Sequence, residues 1–235
     1  MSIATLHAQQ GTELLIAAAV GDALGAATEF MTPEEAQQVY PERPYAFARS
    51  DWRDMRPGDA TDDTQLAICV WQALSLNAAE SGEQFVSSLQ RRFACWLESS
   101  PPDAGSTLQR ALQLGPMATW ARYGEAAASN GSLMRAHAVS AAMPTSFEEM
   151  VRLSVLSSAA THAAPEAIWS CLYNNVLTSQ LQGGERWTDV IWSSGLHPRR
   201  RTGGQVTSGL DDTGPQTLPG ARTPDWSVIA SRCTG

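Results

Sequence analysis

The chain has 235 residues, of which 43% are hydrophobic and 17% are charged, and its formal net charge is −8. This length and balance are typical of a globular protein with a sizeable core and argue against long disordered regions. A net negative charge gives no electrostatic footprint for phosphate backbones, so nucleic-acid binding is not expected. Four cysteines without CxxC spacing, and an N-terminus without a basic segment before an apolar run, predict a cytoplasmic protein with reduced thiols.

The first predicted element is a helix over residues 13–27, because this segment is rich in alanine and leucine. It is apolar around nearly its whole circumference, which predicts a buried helix at the centre of the fold. It is too short and, with Asp22 inside it, too polar to span a bilayer, so no membrane partner is expected. Pro33 opens a second short helix, and residues 41–56 are predicted to form a loop.

Apolar residues at helical spacing indicate the next three helices. One covers residues 64–76, the second is centred on 85–96 and ends before Pro101, and the third is centred on 108–112 and stops near Gly115. The first of them shows the i, i+3, i+4, i+7 and i+8 pattern at Leu66, Cys69, Val70, Ala73 and Leu74.

Two further helices are predicted over residues 147–160 and 165–181, the second with a proline in its first turn. Residues 195–235 contain many Gly, Thr and Pro and lack helical periodicity. Because no segment shows convincing period-two alternation, the chain is predicted to be all-α. We expect one helical domain over residues 1–194, followed by an irregular tail over residues 195–235.

The first segment with chemical potential is GDALGAATEF at residues 21–30. Its small residues let a neighbouring helix or a ligand approach the backbone closely. Asp22 and Glu29 are carboxylates in an otherwise apolar helix, and a buried carboxylate needs a partner. Judged alone, the segment is more simply a helix-packing face in which Asp22 bonds to a backbone donor.

The second segment, GDATDDTQ at residues 58–65, lies where a loop meets the start of a helix. Thr or Asp is the usual N-cap there, but one cap requires only one side chain. Here five polar side chains are crowded together: Asp59, Thr61, Asp62, Asp63 and Thr64. Adjacent carboxylates repel each other unless a cation lies between them, and hard oxygen ligands suit Mg²⁺. A divalent metal therefore explains this cluster better than capping does.

Two later segments are weaker when judged alone. SNGSLMR at residues 129–135 is a glycine-containing turn that leads into a helix predicted over residues 133–141. Such a turn exposes backbone N–H groups to an anion, although an ordinary loop is the simpler interpretation. His162 lies between two predicted helices, where a single histidine is more often structural, and His137 is interpreted as structural too.

The order of these segments is more specific than any one of them. A GDALG helix that ends in Glu-Phe, followed by TDDTQ, SNGSxMR and THxxP, resembles the ADP-ribosylglycohydrolase family over about residues 13–181. That family includes hydrolases that remove ADP-ribose from arginine and serine side chains. The resemblance implies an orthogonal multi-helix bundle with a binuclear Mg²⁺ site in a central cleft.

The resemblance also implies a catalytic set. Thr61, Asp62 and Asp63 would ligate metal, and Asp62, Asp63 and Glu29 would act in catalysis at the cleft. Hydrolysis of a glycosidic bond passes through an oxocarbenium-like state. Two Mg²⁺ ions would bind ribose hydroxyls and hold a water that a carboxylate deprotonates.

A substrate-binding set is implied in the same way. Asn130, Gly131 and Ser132 would line the pocket for the diphosphate and ribose of ADP-ribose, and His162 would contact the ligand. Asp22 matches a recurring position that supports the site. The expected ligand is ADP-ribose or an ADP-ribosylated protein, with arginine favoured as the modified side chain.

The family supplies the other half of its metal site from a late GGDxDT or GGDxDS motif, which this chain lacks. The nearest string is GLDDTG at residues 209–214, which makes Asp211 and Asp212 the remaining candidate ligands. Three hypotheses stay open: an active Mg²⁺-dependent hydrolase, a catalytically weak or inactive ADP-ribose-binding relative, and a helical partner-binding scaffold without catalysis. If the last helices of the bundle are missing, exposed apolar faces favour a homodimer or a partner chain.

Overall fold

A computed structural model describes residues 3–41, 47–49, 55–77 and 81–186 of the chain. Within these ranges it contains nine α-helices and no β-strand, so the predicted all-α class is confirmed. The helices are α1 (Ile3–Gly25), α2 (Pro33–Val39), α3 (Asp62–Asn77), α4 (Gly82–Glu98), α5 (Ser106–Leu114), α6 (Pro116–Tyr123), α7 (His137–Ala141), α8 (Phe147–Ala159) and α9 (Pro165–Gln182). Three 3₁₀ turns accompany them: η1 (Ala26–Thr28), η2 (Gly124–Ala127) and η3 (Asn130–Ser132).

The core lies between α3 and α4 and is closed by α7 and α8. Helix α4 shows why the sequence folds this way. Ser81 and Gln84 form a reciprocal capping box at its start, and Phe85, Leu89 and Phe93 then recur on one face and are buried. Each such side chain contributes roughly 1.5–3 kcal/mol when it leaves water. The periodicity that predicted this helix therefore also identified the core.

Helix α1 differs from the prediction in length and in burial. It begins at Ile3, ten residues before the predicted start, and the expected central burial is wrong because Ile16 and Val20 are 58% and 41% exposed. The side of α1 that faces the protein is made mainly of small residues: Ala23 is buried, and Gly11 packs directly against the carbonyl group of Ala141. Small residues allow close packing of α1 on α7, and Leu15 also packs against the core, whereas Ile16 and Val20 are left on the outer side.

Elsewhere the differences concern helix ends. Helix α3 begins at Asp62, two residues before the predicted start. Helix α6 was not predicted, because the Gly-Pro pair was interpreted only as a stop; Gly115, with φ +88°, ends α5, and Pro116 then occupies the first turn of α6. The helix predicted over residues 133–141 is reduced to α7, which is preceded by turns.

No individual helix in the described ranges has both the length and the apolar character needed to cross a bilayer. The segments Gln9–Thr28 and Pro33–Val39 meet these criteria only as a pair, bent by 89° at their junction, on length and composition alone. The predicted tail over residues 195–235, and the end of the predicted domain at residue 194, lie outside the described residues.

Candidate functional site

A cleft of about 430 Å³ lies where the C-terminal part of α1, the start of α3 and the start of α7 meet. Its floor on α1 is made of small residues. A Cβ atom placed on Gly21 or Gly25 would meet nothing within 4 Å, so this side of the helix backbone is open to the cleft. The polar wall contains both candidate carboxylates of the first segment, Asp22 and Glu29, together with Asp63 of the second.

Asp22 ties α1 to the start of α3. Its carboxylate accepts hydrogen bonds from the backbone N–H groups of Thr61 (3.0 Å) and Thr64 (3.2 Å). It also accepts bonds from the hydroxyl groups of both threonines, that of Thr61 at 2.7 Å. The Thr61 hydroxyl oxygen in turn accepts a bond from the Asp63 N–H at 3.2 Å. Asp22 and Thr61 therefore cap α3, and the Asp62 and Asp63 side chains are not needed for capping.

The Asp62 and Asp63 carboxylates lie in an environment that resists negative charge. Burial, followed by the negative charges of Asp103 and Asp63, raises the pKa of Asp62 to about 6. The pKa of Asp63 is also raised to about 6, again chiefly by burial and then by the charges of Asp22 and Glu29. A bound cation would relieve this repulsion.

The two adjacent aspartates face different cavities. Asp63 lines the main cleft, whereas Asp62 lines a smaller cavity next to Asp103, and Thr61 borders both. Thr61 is thus the residue that the two cavities share. The charge of Asp63 raises the pKa of Asp62, and the charges of Asp22 and Asp103 raise the pKa of both, so the two aspartates form one electrostatic unit.

Thr61, Asp62 and Asp63 fit a hard divalent cation in donor type and in charge, because all three offer oxygen and the two carboxylates repel each other. Among the described residues, however, no group of three or more His, Cys, Asp or Glu side chains is arranged to hold a metal ion. The metal site stays a prediction, and it would need further ligands besides Thr61, Asp62 and Asp63. Asp211 and Asp212, the other candidate ligands, lie outside the described residues.

The predicted substrate-binding loop forms turn η3, and its three residues lie at different depths. Asn130 is exposed, Gly131 is half-buried and Ser132 is buried. The Ser132 hydroxyl oxygen faces the interior, where it accepts a hydrogen bond from the Ser158 hydroxyl at 2.9 Å and one from the Cys171 thiol at 3.4 Å. The surface that η3 offers to a ligand is therefore made by Asn130 and the loop backbone.

His162 lies directly behind this loop and is only 1% exposed. Its Nε2 atom is 3.0 Å from the Ser129 hydroxyl oxygen, and its Nδ1 atom is 2.8 Å from that of Thr161. Burial and the nearby charge of Arg135 lower the pKa of His162 to about 3, so the ring is neutral at physiological pH. Its described polar contacts are with the protein, and contact with a ligand stays a prediction.

Two residues near the carboxylates were not identified from the sequence. Asp103 follows the Pro101-Pro102 pair, which was interpreted only as the end of a helix, yet its charge acts on both Asp62 and Asp63. An acidic residue directly after a helix stop was the available signal. His137 was interpreted as structural, but its side chain lines the main cleft, and burial lowers its pKa.

Comparison with known proteins connects this geometry to a family. A sequence model of the ADP-ribosylglycohydrolases matches residues 5–232. The chain belongs to the ADP-ribosylglycohydrolase family. The match confirms the resemblance that was drawn from the order of four short segments, and it extends beyond residue 181, where that resemblance ended.

Individual relatives in the ADP-ribosylglycohydrolase family agree with this assignment. The ADP-ribosyl-[dinitrogen reductase] glycohydrolase of Rhodospirillum rubrum is 34% identical over 171 residues, which are 71% of this chain and 55% of that protein. The ADP-ribosylarginine hydrolase Tri1 of Serratia proteamaculans is 28% identical over 180 residues, which are 72% of this chain and 46% of that protein. The chain thus spans about half the length of these relatives.

Proposed function

We propose that this chain is a Mg²⁺-dependent hydrolase that removes ADP-ribose from a modified protein side chain, with the N-glycosidic bond to arginine as the favoured substrate. The observation that carries the proposal is the pair Asp62 and Asp63. Their side chains are not needed as caps, because Asp22 and Thr61 cap the helix, and the pKa values of both are raised to about 6. Asp63 lines the main cleft and Asp62 lines the smaller cavity beside it. The two relatives, a glycohydrolase of ADP-ribosylated dinitrogen reductase and an ADP-ribosylarginine hydrolase, support the reaction class.

Thr61, Asp62 and Asp63 would hold the metal through their side-chain oxygens. Bound Mg²⁺ would supply a Lewis acid that binds ribose hydroxyls and lowers the pKa of a water molecule. Glu29, on the α1 side of the cleft, is the carboxylate that we propose accepts the proton of the attacking water. The water oxygen bonds to the anomeric carbon as the glycosidic bond breaks, and the departing guanidine nitrogen takes up the proton that Glu29 received from the water.

The charge of the cleft gives a physical reason to favour arginine. Asp22, Glu29 and Asp63 all line it, so its wall is acidic. An acidic wall attracts a cationic guanidinium group and stabilises it as the leaving group, whereas it offers no comparable advantage to a neutral serine hydroxyl. The diphosphate of ADP-ribose requires positive partners instead, and we propose that the metal and the N–H groups at the start of η3 provide them.

A second function, ADP-ribose binding without turnover, is favoured by one observation. In the part of the chain that the structure describes, no three ligand side chains converge on a metal position. If the remaining ligands are absent, the cleft and the η3 loop would keep their shape while the metal would bind weakly. Binding and hydrolysis must therefore be measured separately.

The test measures release of ADP-ribose from an ADP-ribosylated arginine substrate, with Mg²⁺ and with EDTA. We expect Mg²⁺-dependent release that the double substitution Asp62→Asn and Asp63→Asn abolishes. Asp59→Asn is the matched control, because Asp59 lies in the same acidic segment but is exposed and pairs with Arg56 at 3.4 Å. Full activity of the double variant would contradict the metal assignment.

Isothermal titration with ADP-ribose, with and without Mg²⁺, separates the alternatives. Binding without release of product would favour the inactive relative. Absence of binding in both conditions would exclude both ligand-dependent functions and would favour the scaffold. Replacing the modified arginine with a modified serine in the release assay tests the preference that the acidic wall predicts.

A further inference from the structure

Arg135 places a positive charge in the interior of the protein. Its side chain is 0% exposed, and its guanidinium group lies 4.5 Å over the ring of Phe93. It donates hydrogen bonds to the Gly131 carbonyl oxygen at 2.6 Å, to the Ser157 carbonyl oxygen at 3.4 Å and to the Thr161 hydroxyl oxygen at 2.7 Å. None of these partners is a carboxylate. Burying a charge without a counter-ion is costly, so its hydrogen bonds have to be specific.

The bond between Arg135 and Thr161 fixes the direction of the next one. A guanidinium group can only donate hydrogen bonds, so the Thr161 hydroxyl oxygen acts as the acceptor and keeps its own proton free to donate. Thr161 is 1% exposed, so water does not compete for that proton. The remaining described partner of this hydroxyl is Nδ1 of His162 at 2.8 Å, and Thr161 therefore donates to it.

The direction of this hydrogen bond determines the tautomer of the imidazole ring. A neutral imidazole that accepts a hydrogen bond at Nδ1 carries its proton on Nε2. The Nε2–H group faces the Ser129 hydroxyl oxygen at 3.0 Å, and the Ser129 hydroxyl donates to that of Thr107 at 3.1 Å. The Thr161 hydroxyl, the imidazole N–H and the Ser129 hydroxyl thus each have one acceptor.

The loop fits closely against the same ring. A Cβ atom on Gly131 would lie 2.9 Å from Nε2 and 3.1 Å from Cε1 of His162, so only glycine allows this contact without displacement. Arg135 also holds the Gly131 carbonyl oxygen directly. The loop is thus attached to the buried network at Ser129 and at Gly131, on either side of Asn130.

We propose that Arg135 and Thr161 are positioning residues that hold His162 as its Nε2–H tautomer and thereby fix the loop from Ser129 to Gly131. This loop precedes Met134 and His137, which line the cleft. In this role His162 orients the loop and transfers no proton during the reaction. The consequence for ligand binding rests on the proposed function, in which this loop contacts ADP-ribose. The tautomer itself does not depend on that function.

The test is nuclear magnetic resonance of the full chain labelled with ¹⁵N-histidine, in which two-bond ¹H–¹⁵N correlations show which ring nitrogen carries the proton. The signals of His162 are assigned by their loss in His162→Asn. We expect the Nε2–H tautomer in the wild-type protein at neutral pH. We expect the same tautomer in Thr161→Ser, which keeps the hydroxyl group, and a mixture of tautomers in Thr161→Val and Arg135→Met, which remove the donor or its orienting partner.

ADP-ribose affinity is measured on the same proteins. Thr161→Val should weaken binding roughly tenfold, the effect of one lost buried hydrogen bond, while Thr161→Ser should bind as the wild type does. An Nδ1–H tautomer or a protonated ring in the wild type would overturn the inference, and this result does not depend on any variant folding. So would an unchanged tautomer in both Thr161→Val and Arg135→Met. If the wild type shows Nε2–H but binds no ADP-ribose, the positioning role is supported and the proposed function is not.

Discussion

Replacing Asp22 with alanine removes the connection between α1 and α3. Four hydrogen bonds end on this carboxylate, two from backbone N–H groups and two from hydroxyl groups of Thr61 and Thr64. Bonds to a charged acceptor contribute about 1.5–3 kcal/mol each when buried. The site is only partly buried, and its donors regain water when the partner is lost, so we take about 1 kcal/mol for each bond. Asp22→Ala should therefore lower the free energy of unfolding by about 4 kcal/mol.

Asp22→Asn provides a graded comparison. Three of the four bonds end on Oδ2 and one on Oδ1, so an amide oxygen in the place of Oδ2 keeps three neutral bonds and loses the charge. About half of the alanine effect is expected, roughly 2 kcal/mol.

Urea unfolding followed by circular dichroism, in EDTA to remove any contribution from metal, measures both changes. Asp59→Asn serves as the control and should lower the unfolding midpoint only slightly, because its carboxylate bonds only locally, to Arg56 at the surface. A loss below about 1 kcal/mol for Asp22→Ala would refute the argument that this carboxylate joins the two helices.

Three further predictions concern single sites. Gly131→Ala should destabilise the protein by about 1–3 kcal/mol, because its Cβ atom would meet His162 at 2.9 Å. Gly21→Ala is the control and should leave stability equal or higher, because its Cβ atom would meet nothing within 4 Å. Thermal unfolding compares the two variants. Because the folded pKa of His162, about 3, lies below the unfolded value, the unfolded state alone gains a proton as the pH falls below about 6.5. Stability should therefore decrease by roughly 2 kcal/mol between pH 8 and pH 5 on account of this ring, and His162→Asn should remove that part of the slope; an unchanged slope would contradict the assignment. For Asp62 and Asp63 the sign is opposite, because their folded pKa values are raised: stability is lost as the pH rises from about 4 to 6. In EDTA at pH 7, Asp62→Asn and Asp63→Asn should therefore each be more stable than the wild type by about 1 kcal/mol, a value reduced for partial exposure. A variant less stable than the wild type would argue against mutual repulsion.

The sequence was sufficient for the fold class and for the order of the segments that reach the cleft. Periodicity alone identified α4, since its buried residues repeat on one face, and the TDDTQ segment was correctly placed where a loop becomes a helix. The burial of α1 could not be predicted this way. Its apolar residues surround the whole helix, so periodicity does not show which side faces the protein, and the small residues decided it.

The degree of burial of the site residues could not be predicted from the sequence either. Ser132 and Asn130 are two positions apart in one turn. The Ser132 hydroxyl nevertheless bonds inside the protein, whereas Asn130 is exposed. Their depth depends on where α8 passes behind the loop, which is a tertiary property. Asp103 is missing from the predicted cluster for the same reason: it is distant in sequence from Asp62, and only folding brings their charges together.

The start of α3 shows how one short segment combines stability with a reactive charge. A helix start is satisfied by a few acceptors, and here Asp22 and Thr61 provide them. The two aspartates that follow are then unfavourable for the fold, since burial and their neighbours oppose their ionisation. Such an arrangement is stable at neutral pH only if the rest of the helix compensates or if a cation binds between the carboxylates. At a metal site, Asp62→Asn should therefore raise the free energy of unfolding in EDTA and lower it in Mg²⁺, because the substitution removes a ligand. This reversal of sign would identify the segment as a metal site independently of any enzymatic assay.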